Sequence, residues 1–249
     1  MSSTPRIQVE IKDVTLEDLP TIAQGNIDTL APFHDDMEFQ PHLPDRIERQ
    51  AYRLSKLLSL PTVQIRKAVL PSNSSVPEQD QGKLVGVALW MFTRKGEKPM
   101  NLKRRMIEGL SGEEEEKERE DWKGVDWEKW NQCWDEWDAV RQQFMNGREH
   151  WYLVPLWVLP QYAGQGIGRL LLQEKIVECD STTPSTPIYL EASKEGKYLY
   201  PKLGFVQYGE SYYEEMVRWG KGNEEGEKWC EEKKIELLKA KGKSEFSKK

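Results

Sequence analysis

One segment of the sequence, residues 153–172, constrains the fold more than any other. An apolar, β-prone run ends at Pro160 and is followed by a glycine-rich turn and the start of an amphipathic helix. The turn contains three alternate glycines, Gly164, Gly166 and Gly168. Glycine at a strand-to-helix junction lets the backbone approach a ligand closely, and the first amides of a helix attract an anion. The pattern therefore predicts a strand–turn–helix unit that binds a phosphate-bearing ligand.

The glycine spacing argues against two common classes of nucleotide-binding protein. A dinucleotide-binding fold has Gly-x-Gly-x-x-Gly after its first strand, with an acidic residue about 20 residues later. Here the spacing is Gly-x-Gly-x-Gly, and the turn lies beyond the middle of the chain. The phosphate-binding loop of nucleoside triphosphatases, Gly-x-x-x-x-Gly-Lys-Ser/Thr, is absent from the sequence. NAD and nucleoside triphosphates are therefore not the expected ligands.

A second motif, Tyr200-Pro-Lys-Leu-Gly-Phe205, follows the glycine-rich segment Ala163-Gly-Gln-Gly-Ile-Gly168. With these two motifs the chain resembles the Gcn5-related N-acetyltransferases, the GNAT family, and is identified as a fungal-type member. The resemblance is strong over residues 150–206 and rests only on the order of elements in the first 94 residues. Ala163 departs from the family pattern, which has Gln or Arg at this position.

The resemblance implies an α/β (α+β) fold, with a mixed central sheet, one splayed strand pair and helices on both faces. It also implies acetyl-CoA as the acetyl donor and no metal. The expected cofactor-binding residues lie on the splayed strand, in the glycine-rich turn and after the next strand: Leu156, Trp157, Val158, Gly164, Gln165, Gly166, Ile167, Gly168, Arg169, Ser193 and Tyr200. Pro155 supports an irregular strand because it lacks an amide proton, although an ordinary bulge explains it equally well.

Tyr200 is the expected general acid, because family members place a tyrosine beside the cofactor sulfur. A phenol with a pKa of about 10 can protonate a thiolate and stays neutral at pH 7. The alternative is that Tyr200 only packs against Phe205. The general base is less well defined: Glu191 is one candidate, Glu149 and His150 lie at the start of the central strand, and a water relay is a further option.

Hydrophobic periodicity predicts the remaining elements. Strands are expected at 6–13, 62–70, 83–94, 187–193 and 206–217. Helices are expected at 15–30, 46–60, 196–203 and 223–240, the first opened by a capping box that starts at Thr15. The N-acetyltransferase domain is assigned to 6–218, and a charged C-terminal helix and tail to 219–249.

Residues 95–149 form an insertion between two expected neighbouring strands. After the acidic run 113–116, four tryptophans, together with Val140 and Phe144, recur at intervals of three and four residues: Trp127, Trp130, Trp134 and Trp137. Such spacing places the six side chains on one stripe of a helix. The stripe either packs the insertion onto the domain or forms a lid over the acceptor site.

Composition excludes several classes of partner. The net charge of −6, spread over both signs, argues against nucleic-acid binding, and no run of about 18 apolar residues exists to cross a membrane. Three separated cysteines without a paired spacing indicate reduced thiols. The N-terminus lacks the apolar core of a signal peptide. The expected location is the cytoplasm, with the nucleus as an alternative, and the oligomeric state is not predicted.

The leading hypothesis is an acetyl-CoA-dependent N-acetyltransferase acting on a primary amine. The acceptor is expected to be a small molecule rather than a peptide, because the insertion should narrow the groove that a peptide requires. Expected acceptor-side residues are Phe33, His34, Asp35, Asp36 and Trp157. The alternatives are a catalytically weak acyl-CoA sensor or interaction protein of the same fold, and a transferase that moves a different acyl group.

Overall fold

A computed structural model describes residues 7–30, 45–73, 76–98, 109–209 and 214–246. Its seven strands are β1 (Glu10–Asp13), β2 (Val63–Val69), β3 (Leu84–Thr93), β4 (His150–Val158), β5 (Ile188–Ala192), β6 (Val206–Gln207) and β7 (Glu214–Arg218). Its α-helices are α1 (Leu19–Thr29), α2 (Arg46–Leu58), α3 (Glu113–Asp121), α4 (Trp127–Met145), α5 (Ile167–Asp180) and α6 (Glu224–Phe246). The predicted order of elements is confirmed except at 206–217, where two strands replace the predicted one.

The strands form one mixed sheet in the order β1-β2-β3-β4-β5-β7-β6, with helices on both faces. Strands β4 and β5 are parallel, whereas β1–β2, β2–β3, β5–β7 and β6–β7 are antiparallel. Registered pairs between β4 and β5 stop at Tyr152 and Tyr189, although β4 continues to Val158 and β5 to Ala192. The predicted splayed strand pair is therefore confirmed. Pro155, after a cis peptide bond, lies in the unregistered part of β4 and has no amide proton to donate.

Contacts divide the chain into two compact units. The first contains Met1–Met91, Met100–Asp138 and Val154–Gln173, and the second contains Phe92–Pro99, Ala139–Leu153 and Glu174–Lys249.

The first unit is built on β1, β2 and β3, with α1 and α2 contributing its helical core. The capping box is confirmed, since the Thr15 backbone N–H donates to Asp18 Oδ2 at 2.7 Å. Helix α1 buries Leu19, Ile22 and Ala23, and β3 is buried along nearly its whole length. A strand buried on both faces requires the near-continuous apolar run that the sequence has at 84–92.

The predicted helical insertion contains α3 and α4. In the first unit, the C-terminal end of α3 packs on α2: Arg53 Nη1 donates to the Asp121 carbonyl at 3.2 Å, and Lys56 Nζ lies 3.3 Å from Glu118 Oε2. Trp122, Trp130 and Trp134 are at most 8% exposed. Their rings form a continuous chain of contacts that extends to Trp127 and Trp137, with centroid separations of 5.0–5.6 Å. Trp122, Trp130 and Trp134 therefore form part of the core of the first unit, with Trp127 and Trp137 at its partly exposed edge.

The second unit contains the start of β4 together with β5, β6, β7 and α6. The prediction of one strand over 206–217 is wrong, because β6 and β7 are separate antiparallel strands. The hairpin is held beyond β6 by the Tyr208 amide, which donates to the Glu215 carbonyl at 3.0 Å. Helix α6 packs on the C-terminal part of α4, where Trp229 Nε1 donates to the Gln143 carbonyl at 3.4 Å.

Candidate active site

The glycine-rich turn follows β4 in the first unit. The Leu159 amide donates to the Val85 carbonyl at 2.9 Å, which fixes the end of the strand against β3. A short 3-10 helix then spans Pro160–Tyr162. Gly164 and Gly166 have φ values of +75° and +89°, which L-residues with a side chain rarely adopt. These two glycines are therefore required by the backbone path of the turn.

Helix α5 begins directly after this turn. Its first hydrogen bond runs from the Leu170 amide to the Gly166 carbonyl at 3.1 Å, so the amides of residues 167–169 precede the first intrahelical donor. Gly164, Gly166 and Arg169 are exposed, and among the described residues, apart from the adjoining ones in the chain, no atom lies within 4 Å of the place where a Cβ at Gly164 or Gly166 would stand. An exposed turn of small residues before a 14-residue helix suits a pyrophosphate group. The residues present therefore fit the phosphate-bearing ligand that the sequence predicts.

Gly168 differs from the other two glycines. It lies inside α5 and is not among the residues with positive φ. The backbone conformation therefore does not require glycine at position 168, which is the second residue of the helix.

Trp157 has a well-defined place on β4. Its indole is 4% exposed, and Nε1 donates to Asn26 Oδ1 on α1 at 2.6 Å. A Cβ on Gly25 would lie only 2.3 Å from Trp157 Cη2, so glycine at that position makes room for the ring. The side chain therefore packs against α1 in the interior of the first unit. The predicted contact between the cofactor and Leu156, Trp157 and Val158 involves their backbone groups and stays a prediction. The predicted contact between Trp157 and the acceptor also stays a prediction.

In the second unit, Ser193 and Tyr200 belong to one local structure after β5. The Ser193 Oγ accepts a hydrogen bond from the Gly196 amide at 3.1 Å, and the Ser193 carbonyl accepts one from the Lys197 amide at 2.9 Å. A Cβ on Gly196 would lie 3.7 Å from the Tyr200 hydroxyl oxygen, which shows how closely this turn approaches the phenol. Ser193 therefore shapes the turn that precedes Tyr200.

Tyr200 begins the short 3-10 helix Tyr200–Leu203 and is 7% exposed. Its ring packs edge-on against Phe205 with centroids 5.6 Å apart, as the packing alternative expects. Burial raises the pKa of the Tyr200 phenol well above its usual value, because the charged phenolate would lose its solvation. The phenol therefore keeps its proton at every ordinary working pH, and a role as general acid stays a prediction.

Glu191 lies on β5 in a group of polar residues that we call the Glu191 cluster: Glu191, Glu215, Arg141, Tyr152 and Tyr189. Glu191 is in register with Glu215 on β7, and directly opposed residues of an antiparallel pair share one face of the sheet. The Arg141 guanidinium, on α4, stacks over the Tyr152 ring at 3.8 Å. Glu215, Arg141, Tyr152 and Tyr189 are all at most 2% exposed.

This environment changes the protonation of Glu191. The residue is half-buried, but its Oε1 atom is inaccessible to solvent. Desolvation raises the pKa of the Glu191 carboxyl to about 7, and the neighbouring Glu215 adds to the rise. Arg141 and the hydroxyls of Tyr152 and Tyr189 act in the opposite direction. A carboxyl with a pKa near 7 can accept and release a proton at neutral pH, as a general base must.

The other candidate bases are less suitable. Glu149 is exposed, whereas His150 is 1% exposed and its Nδ1 lies 2.8 Å from the Arg148 carbonyl oxygen. The sequence indicates Glu191 as a candidate base but does not indicate its neighbours in the cluster. Tyr189 could have been predicted as a neighbour of Glu191, since residues two apart on a strand share a face. Arg141 could not have been predicted, because nothing in the sequence pairs the insertion with β5.

Phe33, His34, Asp35 and Asp36, the predicted acceptor-side residues, lie outside the described residues. Among the residues that are described, no group of three or more histidines, cysteines or acidic residues is arranged to hold a metal ion. Within the same part of the chain, no helix has the length and apolar character needed to cross a membrane.

Comparison with protein families agrees with this geometry. Residues 128–221, which include the glycine-rich turn, Glu191 and Tyr200, match the family model of the acetyltransferase (GNAT) domain. Residues 128–221 therefore belong to a GNAT domain. The predicted family and enzyme class, N-acetyltransferase, are thereby confirmed. None of the curated proteins compared with this chain matches it.

Solved structures with a similar fold cover most of this chain. A histone acetyltransferase HPA2 and related acetyltransferase from Corynebacterium glutamicum is 22% identical, with a TM-score of 0.48, over 85% of this chain and 96% of that one. Arabidopsis thaliana NAA60 in complex with a bisubstrate analogue is 12% identical, with a TM-score of 0.45, over 86% and 99%. The PaiA N-acetyltransferase of Thermoplasma acidophilum in complex with coenzyme A is 13% identical, with a TM-score of 0.43, over 86% and 99%.

Proposed function

We propose that this GNAT domain uses acetyl-CoA to acetylate the primary amine of a small molecule. The observation that carries the proposal is the glycine-rich turn, in which Gly164 and Gly166 adopt positive φ immediately before α5. This turn lies within the region that matches the GNAT family model.

The turn would hold the donor through its pyrophosphate. The amides of Ile167, Gly168 and Arg169 precede the first intrahelical bond, and anions are favoured at such a helix start. The exposed Arg169 side chain adds a positive charge nearby. Since Ala163 replaces the usual Gln or Arg, binding would depend on these backbone donors and on Arg169.

The chemistry needs one proton acceptor and one proton donor. Acetyl-CoA supplies the acetyl group as a thioester. The Glu191 carboxylate takes a proton from the acceptor ammonium, and the neutral amine nitrogen then forms a bond to the acetyl carbon while the carbon–sulfur bond breaks. Tyr200 donates its phenolic proton to the departing sulfur, and the second proton that the nitrogen loses as the amide forms restores the Tyr200 phenol. The Glu191 cluster supports the role of Glu191 as proton acceptor, because the pKa of Glu191 is raised to about 7.

Two measurements test the proposal. Calorimetric titration should detect acetyl-CoA binding, and release of free thiol should require both acetyl-CoA and a primary amine. Binding of acetyl-CoA without amine-dependent thiol release would favour the alternative of a catalytically weak acyl-CoA sensor. The specific observation in favour of this alternative is Ala163, which stands where the family pattern has Gln or Arg. Absence of acetyl-CoA binding would refute both functions.

A further inference from the structure

Arg218, the last residue of β7, binds two other elements of the second unit. Its Nη1 and Nη2 atoms donate to Asp180 Oδ1 and Oδ2 at 2.7 and 2.6 Å, and its Nε donates to the Leu203 carbonyl at 3.0 Å. Asp180 is the C-terminal residue of α5, and Leu203 is the last residue of the 3-10 helix that begins at Tyr200. One side chain therefore connects β7, the end of α5 and the element that carries the proposed acid.

The geometry of this contact suits a side chain that fixes a position. A planar guanidinium that binds both oxygens of one carboxylate is held in a defined orientation, whereas the ammonium of lysine acts as a point charge. The side chain of Arg218 is only 12% exposed, so water competes weakly for its donors. β7 holds the backbone of Arg218 in register with Ile188 of β5, which is fully buried. Asp180 thus orients the guanidinium so that Nε reaches the Leu203 carbonyl.

The Leu203 carbonyl lies at the end of a short helix. The last carbonyls of a helix lack intrahelical donors, and basic side chains commonly bind them. The chain reverses directly after Leu203, where Gly204 has a φ of +84°. The Phe205 amide then donates to the Tyr200 carbonyl at 3.2 Å. The turn that Arg218 holds at Leu203 therefore closes back on Tyr200.

The place of the Tyr200 phenol depends on the path of this turn. Its ring packs on Phe205 with centroids 5.6 Å apart, and Phe205 lies two residues after the carbonyl that Arg218 binds. A general acid must lie within hydrogen-bond reach of the atom that it protonates. A displacement of about 1 Å can cost about 100-fold in rate, even when its cause lies away from the reacting atoms.

We propose that Arg218 is a positioning residue: by binding Asp180 and the Leu203 carbonyl, it holds the Tyr200 hydroxyl where this group donates to the departing sulfur. This inference rests on the proposed function and adds to its site a residue from outside both sequence motifs. Arg218 and Asp180 are 38 residues apart in the chain, so the pair is evident only in the fold.

Arg218→Lys tests this role, because lysine keeps a positive charge opposite Asp180 but lacks the planar fork that also reaches Leu203. Thiol release from acetyl-CoA is measured with n-butylamine, 2-phenylethylamine and spermidine, and the fastest of these amines is used. We expect kcat to fall about tenfold or more while KM for acetyl-CoA changes less than about threefold, since the acid is displaced and the donor site is not.

The chain offers a matched control in the first unit. Arg49 on α2 is 19% exposed, and its Nε donates to Asp45 Oδ2 at 2.6 Å. Arg49→Lys changes a similarly buried ion pair that has no contact with the turn after Tyr200. It should leave kcat unchanged.

A double-variant cycle shows whether Arg218 acts through Tyr200. Residues that act as one unit give non-additive losses, so Arg218→Lys should cost less than about twofold in kcat when Tyr200→Phe is already present. The same fold-loss in both backgrounds would overturn the inference. The proposed function fails by a different result, which is absence of amine-dependent thiol release in the wild type.

A spectroscopic measurement tests the position of the ring without any acceptor. In protein with isotope-labelled tyrosine rings, the NMR signal of Tyr200 is assigned by its absence from Tyr200→Phe. We expect Arg218→Lys to shift this signal and Arg49→Lys to leave it in place. Asp180→Asn, which keeps Arg218 but weakens its carboxylate partner, should shift it in the same way and serves if Arg218→Lys does not fold. An unmoved Tyr200 signal in either folded variant at Arg218 or Asp180 would overturn the inference.

Discussion

The glycine-rich turn and the Glu191 cluster are two regions with opposite construction. The turn is exposed and is built from consecutive residues between Pro160 and Arg169, and in the proposed function it acts through its backbone amides. The Glu191 cluster is largely buried and combines residues from α4, β4, β5 and β7, and its proposed action is through side chains. A site made from backbone depends on conformation at a few positions, whereas a site made from buried side chains depends on every neighbouring charge.

This difference predicts how each region responds to mutation. In the turn, a side chain matters when it changes the backbone path or occupies the space beside the amides. In the cluster, removal of one oxygen or one charge changes the pKa of the remaining groups, because the surroundings are poorly solvated. The following experiments can contradict or refine the comparison.

The largest effect is expected for Gly166→Val. Gly166 has a φ of +89°, so a β-branched residue strains the turn by about 1–2 kcal/mol and projects beside the helix amides. We expect acetyl-CoA affinity to fall more than about 100-fold, because two or more charge-assisted hydrogen bonds of about 1.5 kcal/mol each are lost. Calorimetric titration measures the loss.

The chain offers a matched control for this variant. Gly222 has a φ of +76° and, like Gly166, no protein atom within 4 Å of its Cβ position. Gly222→Val should therefore show a similar loss of thermal stability with unchanged acetyl-CoA affinity. Wild-type affinity in folded Gly166→Val would remove the assignment of the turn as the cofactor anchor.

The next largest effect is expected for Tyr200→Phe, which keeps the ring contact with Phe205 and removes the hydroxyl. If Tyr200 protonates the departing sulfur, turnover falls about 100-fold, the usual contribution of a general acid, while acetyl-CoA affinity changes little. Because burial raises the pKa of Tyr200, the wild type should show no alkaline loss of activity from this group. Tyr198→Phe, at a residue 69% exposed, is the control.

Turnover of Tyr200→Phe within a few-fold of wild type would support packing as the only role of this side chain. In that case the glycine-rich turn would remain a binding site, but the second unit would lack an identified acid. The acyl-CoA sensor would then become the better hypothesis.

Glu191→Gln tests the cluster through pH. Only the carboxylate accepts a proton, so wild-type turnover should fall as pH decreases through the pKa of about 7. We expect Glu191→Gln to lose about 10- to 100-fold in turnover above pH 7 and to lose this acidic limb. Glu215→Gln should shift the limb to lower pH, because Glu215 contributes to the raised pKa. An acidic limb that is unchanged in Glu191→Gln would assign the base elsewhere.

Glu191 should also make stability depend on pH. Its folded pKa of about 7 lies above the usual glutamate value of 4.5, so the folded state favours the protonated carboxyl, and the stability that this provides below pH 4.5 is lost as pH rises through 7. Since the residue is only half-buried, we expect about 1–2 kcal/mol. Urea unfolding at pH 4.5 and pH 8 should show this pH-dependent loss in wild type and its absence in Glu191→Gln.

These two regions also differ in how far the sequence predicts them. Local patterns sufficed for the turn and for the capping box at Thr15, because each depends on residues close in sequence. The arrangement of strands around β4 was implied by the family resemblance instead. The prediction of one strand over 206–217 was wrong because β-prone residues are present on both arms of a hairpin. The hairpin is recognised only from the backbone hydrogen bond between Tyr208 and Glu215. The position of Arg141 in the Glu191 cluster results from packing between segments that are distant in sequence, and hydrophobic periodicity does not predict such packing.

The smallest effect is expected for Gly168→Ala, and it separates the three alternate glycines. The sequence treats Gly164, Gly166 and Gly168 alike, but only the first two have positive φ. Gly168 lies inside α5, where alanine is favoured over glycine by up to about 1 kcal/mol. We therefore expect Gly168→Ala to retain or slightly increase thermal stability and to change acetyl-CoA affinity less than about threefold, because its amide is kept. Gly166→Ala, with the same added methyl group at a φ of +89°, should lose both stability and affinity by a larger factor. Equal losses in the two variants would mean that the space beside the amides, rather than the conformation of the turn, determines binding.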